Sequence, residues 1–472
     1  MLLIAAAPAF ASAYYFLDSG TRAIGRGGAF VAGADDLSAQ YYNPAALSNI
    51  DRTMLNINGW AVSQYVRFDR ADEEGVEPFE AVENESPPIF EPSIGFAAPL
   101  GGIHPILKNT TFALGMYVPT SPYLAYPTAG AQRYALIDSL IWQVYAGPSV
   151  AQEITPWLTV GVGLQYTFLR VEESLAATIC IRPEMEDCAE GSDDPANDIV
   201  MDLETWDTSQ FSWNAGVLLH PTPWMDVGLA VQPPITYEAP GKMNVSFGED
   251  FFLADHLEGN SFTDEDVTLL VTVPLILRAG VQMRPNDKLR AELAGTWTNW
   301  SSLDQLVITD LKLTIPHKED SLVVREDLVV TDDINFVTGY QDAYSVRLGG
   351  DYLVRDWLQV RAGAHYESSA VPDLSQGVNL VDGSKVGFGA GATVTIARRV
   401  GIDVSAAEQI ILSREITESE LRQQSLYTNP ADQTETAVTS GKVVGNGTFE
   451  SRLTFLAVGA TLYFGGSDEH ID

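Results

Sequence analysis

The stretch LTVGVGLQYTF, residues 158–168, alternates strictly. Leu158, Val160, Val162, Leu164, Tyr166 and Phe168 fall on one face, and Thr159, Gly161, Gly163, Gln165 and Thr167 on the other. A period of two belongs to a β-strand, whose successive side chains point to opposite sides. In a soluble sandwich the apolar face is the core. In a membrane barrel it meets lipid, and the small polar face lines the lumen.

The pattern recurs at 269–277, 358–365 and 456–464. About fourteen such segments can be marked, starting near Thr53, Ile89, Thr110, Tyr134, Trp157, Thr205, Trp224, Asp264, Lys288, Gln341, Trp357, Ser384, Gly401 and Phe449. An even number is what a single-chain outer-membrane barrel uses. Connections alternate in length: short at 155–156, 221–223, 285–287, 355–356 and 398–400, long and acidic at 71–88, 180–204, 248–263, 312–340 and 413–448. Short turns at one end and long loops at the other are the asymmetry of such a barrel, with the acidic loops outside the cell. Trp60, Trp142, Trp157, Trp224, Trp297, Trp300 and Trp357 lie near strand ends, where interfacial girdles form. Ordinary packing is the alternative for each.

Composition agrees. Net charge is −36, from 27 basic against 63 acidic residues, which disfavours a nucleic-acid partner. No apolar run after the N-terminus is long enough for a helical span. Residues 1–13 end in Ala11-Ser-Ala13, an export cleavage pattern without a basic start, so the mature chain is expected to begin near Tyr14. Cys180 and Cys188 would meet an oxidising compartment and are expected to pair; zinc is the weaker reading, since two thiols do not complete a tetrahedral site.

Between the export signal and the first strand lies SGTRAIGRGGAFVAGADDLSAQYYNPAAL, residues 19–47. Gly25, Gly27, Gly28 and Gly33 permit turns closed to other residues, and Asn43-Pro44 ends a short helix or sets a turn. No strand precedes Gly25-Arg-Gly27, so a phosphate-binding loop is discounted. The motifs Gly25–Phe30, Ala34-Asp35-Asp36 and Tyr42-Asn43-Pro44-Ala45, with Trp300-Ser301 and Gln341–Gly349 further on, resemble the FadL family of outer-membrane barrels, which take up long-chain fatty acids and other hydrophobic molecules. Many members carry Gly where this chain has Ala46.

The resemblance implies an all-β, antiparallel barrel of about 14 strands over residues 51–464, a hatch over 14–50 inside the lumen, and a polar tail at 465–472. It implies a ligand route. Ligand would land on apolar loop tips such as Phe251-Phe252-Leu253, meet Tyr14, Tyr15, Phe16 and Leu17, and leave sideways at a break in the third strand. Pro119, Ser121 and Pro122 fall there, and proline cannot donate to a sheet ladder. They mark either a gap or simply the start of a loop. Fatty-acid-carrying relatives place basic residues where this chain has Leu175 and Phe336, so neutral cargo is an open alternative. Arg170 shares the lipid-side parity of Phe168. Arg278, Arg284, Arg347 and Arg361 point inward by parity, near Asp351 and Glu367. They read as a polar lumen network holding the hatch through Asp35 or Asp36, in preference to a carboxylate site.

The six histidines form no metal spacing, and no nucleophile elbow occurs, so neither an enzyme nor a cofactor is expected. The acidic loops are read as solvated surface, with calcium bridging to lipopolysaccharide as a secondary idea. The expected protein is a monomeric barrel for passive uptake of hydrophobic molecules, fatty acids first and aromatic hydrocarbons as the alternative. A polar-solute porin and an adhesive surface barrel are the rivals.

Overall fold

The computed structural model describes residues 18–465, apart from 73–77, 103, 181–192, 249–250, 304, 321–326, 331–333, 380 and 429–435. Fourteen antiparallel strands form a closed wall. In order they are Thr53–Arg70, Ile89–Pro99, Thr110–Thr120, Asp138–Thr155, Leu158–Cys180, Asp198–Thr222, Met225–Gln232 continued by Ile235–Ser246, and Ser261–Val273 continued by Ile276–Asn286. Then come Leu289–Thr298 continued by Gln305–Thr309, Ile334–Val337 continued by Ala343–Arg355, Leu358–Glu367, Lys385–Ile396, Val400–Ile416 and Gly447–Phe464. They are called strands 1 to 14 below. The last pairs with the first from Thr53↔Phe464 to Arg70↔Gly447, which leaves no free sheet edge.

The alternation at 158–168 does what its period requires. Val162 and Leu164 stand exposed on the outer face, while Thr159, Gln165 and Thr167 are buried on the inner one. The exposed outer residues, Phe90, Leu114, Leu229, Leu293, Leu348, Phe388 and Leu456 among them, make a belt suited to hydrocarbon. Trp157, Trp224 and Trp357 are about half exposed beside the tight turns, as an interfacial girdle requires.

Three expectations from parity change. Leu269, Val271 and Val273 face inward, not toward lipid. Strand 8 breaks at Pro274-Leu275, and those two residues move the inward set from odd numbers to Ile276 and Arg278. Strand 7 breaks likewise at Pro233-Pro234. Trp60 and Trp300 are buried and belong to no girdle. Phe251 and Leu253 pack into the loop layer, leaving only Phe252 exposed at that tip.

Residues 18–50 lie inside the wall and are almost entirely buried. Helices Thr21–Gly25 and Ala39–Tyr42 and the 3-10 turn Pro44–Asn49 are too short to be stable alone. The wall holds them instead. The glycines of the founding stretch explain themselves here: a Cβ on Gly161 would lie 2.2 Å from the backbone nitrogen of Ala45. On Gly349 it would lie 2.1 Å from the carbonyl oxygen of Arg26. The inner segment thus sits on the wall's own backbone, at the level of the short turns.

Candidate functional site

The lower lumen is a web of charges that ties the inner segment down. Arg22 reaches Asp403 and Asp35, each at 3.1 Å, and donates to the Tyr463 hydroxyl. Arg26 pairs with Asp351 at 2.9 Å and Glu292 at 3.3 Å. The Glu292 carboxylate also accepts the backbone N–H groups of Val31, Ala32 and Gly33. These otherwise orphaned donors fix the loop in position, a strong arrangement because the acceptor is charged. Asp35 is held by Arg290 at 2.7 Å as well as by Arg22.

The arginines read as inward from the sequence are inward, with distinct partners. Arg347 binds Asp18 at 2.6 Å and donates to the Gly27 carbonyl. Arg361 spans Asp351 and Asp403 within the wall. The Arg278 guanidinium covers the Tyr41 ring, 4.4 Å from its centroid. Arg284 pairs with Asp226 near a short turn. None of Arg278, Arg347 and Arg361 takes Asp35; Arg22 and Arg290 do. Sequence reading passed over Arg22, Arg26, Arg290, Glu292 and Asp403. The inward parity of Arg290, Glu292 and Asp403 was visible, but partners hundreds of residues apart are not.

The two neighbouring aspartates diverge. Burial works against ionisation of Asp35, but Arg290 and Arg22 outweigh it and hold its carboxyl well below the usual range. Asp36 goes up, because burial and the charge of Asp35 overcome Arg22. Asn43 does double duty, ending one helix and capping the next turn. Its Oδ1 accepts from the N–H of Ala45, beyond Pro44, while its Nδ2 donates to the carbonyls of Val31 and Val217. Gly27 and Gly28 take positive φ values of 59° and 74°, a region that favours glycine. At Gly28 there is also no room for a Cβ beside Arg347 and Asp18.

On one side the wall is interrupted. Strand 3 pairs with strand 2 only as far as Ser93↔Tyr117. Its pairing with strand 4 shifts register between Tyr117 and Thr120, across Val118 and Pro119, and the strand ends before Ser121-Pro122. Ile89–Pro92 of strand 2 therefore keep ladder partners in strand 1 and have none in strand 3. A side chain bridges the break. Glu91 is fully buried, accepting from Ser121 Oγ at 2.5 Å and from its cross-strand neighbour Trp60 Nε1 at 2.5 Å. Among the described residues Glu91 has no cationic partner. Tyr42, Tyr41, Tyr117 and Tyr145 make successive edge-to-face contacts at 4.9, 5.7 and 5.6 Å, from the inner segment to the edge of the break. Behind Tyr117, the cavity between Ser19, Gln40, Tyr41 and Ser93 holds only about 10 Å³.

Above the inner segment the inner face turns apolar. Leu169, Val171, Leu203, Tyr237, Ala239, Val267, Leu269 and Leu306 all point in and are buried. Leu175 belongs to this face, and Phe336 pairs with Leu306 in the backbone ladder, its side chain lying outside the described residues. Arg170 is on the outer face with Glu172 and Glu204. Tyr14, Tyr15, Phe16, Leu17 and Cys188 lie outside the described residues, as does the side chain of Cys180. No metal-binding group of His, Cys, Asp or Glu occurs among the described residues. A groove of about 910 Å³ runs over Val160, Leu229, Leu277, Trp297 and Tyr344, but these are on the lipid side of the wall and not in the lumen.

Known proteins share this fold. Residues 2–448 match the family model described as outer membrane protein transport protein (OMPP1/FadL/TodX). An outer membrane protein of Neisseria meningitidis serogroup B is 23% identical over 433 residues, covering 85% of this chain and 86% of that protein. The crystal structure of a Pseudomonas aeruginosa FadL homologue superposes with a TM-score of 0.71 at 16% identity, covering 95% and 98% of the two chains. That of the Pseudomonas putida toluene transporter TodX does so with 0.63 at 13% identity, covering 95% and 99%. The chain belongs to the OMPP1/FadL/TodX family of outer-membrane transport proteins, and its wall is that family's fourteen-stranded barrel.

Proposed function

We propose that the barrel passively takes up hydrophobic molecules, with residues 18–50 as its plug and the break between strands 2 and 3 as the exit into the bilayer. The observation that carries this is the pairing of an apolar upper lumen with a wall opening spanned by the buried Glu91 carboxylate. A molecule entering from the loop side finds apolar surface, then a plug it cannot pass. Escape sideways keeps its apolar area out of water, worth ~0.8 kcal/mol per methylene. The aromatic contacts from Tyr42 to Tyr145 give plug and exit a shared packing surface.

For the cargo, the charge pattern favours neutral molecules over fatty acids. A buried carboxylate needs a cation or donors. Among the described residues at the loop end, Arg70, Arg133 and Lys385 are each already held by a carboxylate. TodX is a toluene transporter, in line with that preference. The test is uptake of labelled hexadecane, toluene and oleate by cells that lack their own barrel of this family and express this chain. Hydrocarbon entry without oleate entry supports the neutral class, and oleate entry alone overturns it.

A further inference from the structure

Among the described residues, the apolar upper face carries an acidic residue without a partner. Glu173 points inward from strand 5, between Val171 and Leu175, and is 5% exposed. Among the described residues it has no hydrogen bond and no ion pair, and the charge felt most strongly there is the like charge of Asp138. Its cross-strand neighbours are Ser139 in strand 4 and Leu203 in strand 6. The Ser139 hydroxyl is also buried and without a partner, and so is the hydroxyl of Thr205, opposite Val171. From the break within strand 10, the buried Tyr340 phenol lies close enough to feel the charges of Asp382 and Glu173.

Unpaired buried polar groups cost free energy, about 1–3 kcal/mol each and more for a charge. Three on one patch of an otherwise apolar wall make a polar spot lacking its counterpart. Glu173 accepts a hydrogen bond or, when protonated, donates one, while each hydroxyl both gives and takes.

Resting on the uptake reading above, we propose that Glu173, with Ser139 and Thr205, forms a head-group site for hydrophobic molecules bearing one hydrogen-bond-donating group, an alcohol or a protonated amine. The apolar tail lies along Val171, Leu203 and Leu269. Plain hydrocarbons pass without using the site.

The test is equilibrium binding of radiolabelled dodecanol, dodecylamine, dodecane and dodecanoate to the full-length protein in nanodiscs, wild type against Glu173→Leu and Glu173→Gln. Unchanged heat resistance of the barrel on gels serves as the folding control. The site predicts that Glu173→Leu weakens dodecanol and dodecylamine roughly tenfold or more. It leaves dodecane unchanged. Glu173→Gln spares dodecanol more than dodecylamine. Should a substitution unfold the barrel, Ser139→Ala and Thr205→Val, expected to weaken dodecanol severalfold, take its place. Equal effects on all four ligands, or none, overturn the site while leaving the uptake reading intact. Failure of the wild type to bind even dodecane overturns both.

Discussion

Glu91 and Ser121 face each other across the stretch where strand 2 has lost strand 3, joined Oε1 to Oγ at 2.5 Å. The carboxylate stands in for missing ladder bonds, and Trp60 fixes its other oxygen. A contact centred on one carboxylate can open without unzipping a sheet, which a backbone ladder cannot do.

Removing that bridge should therefore loosen the exit. Glu91→Ala is expected to raise hydrocarbon uptake severalfold. It should also leave Ser121 and the Trp60 indole without an acceptor, at about 1–3 kcal/mol each. Labelled-hexadecane uptake and thermal unfolding of the purified barrel measure the two effects. Slower uptake with a folded barrel would mean the bridge does not close the route.

The plug's strongest tether is Glu292, with three backbone donors and Arg26 on one carboxylate. Glu292→Gln removes the charge and reverses one hydrogen-bonding position, and should destabilise seating of the plug by roughly 3 kcal/mol. In planar bilayers the variant is expected to show frequent ion-conducting openings where the wild type is nearly silent.

Asp35 and Asp36 should respond oppositely. Asp35 is depressed in the folded protein, so its contribution is complete above the unfolded value near 3.9 and is lost as pH falls through its lower folded value. Conductance should stay low from pH 7 to about 4 and rise only below that. Asp35→Asn should cost about 3 kcal/mol at pH 7. Asp36 is raised by burial, so its ionised form opposes folding as pH increases, and Asp36→Asn should be nearly neutral or stabilising. Denaturation midpoints of the two variants at pH 7 decide this.

Gly349 allows the plug to touch the wall. A methyl there meets the Arg26 carbonyl oxygen at 2.1 Å, and that atom is backbone. Gly349→Val should displace the plug while leaving the outer belt intact, giving a folded barrel whose residues 18–50 are cut by protease. Full protection would mean the plug is held elsewhere.

Much of this was legible in the sequence. Strict alternation named the wall strands, and Pro119 and Pro122 lie just past Tyr117, where strand 3 leaves strand 2. Gly27, Gly28 and Asn43 lie where tight turns require them. The charged tethers were not legible, because Arg26 meets Glu292 and Asp351 only after the barrel closes. Nor was the apolar upper lumen. Its residues, such as Leu269 and Val271, look like a lipid face until the proline breaks in strands 7 and 8 reverse the parity. Glu91 escaped notice because a lone acid in a strand gives no sign that it closes a gap.

The most direct test is to lock the break. Glu91→Cys with Ser121→Cys, joined by a short thiol-reactive cross-linker, should abolish hexadecane uptake by intact cells and recover it when a cleavable linker is reduced. A cross-linked barrel that imports hexadecane as fast as the reduced one would contradict the lateral route.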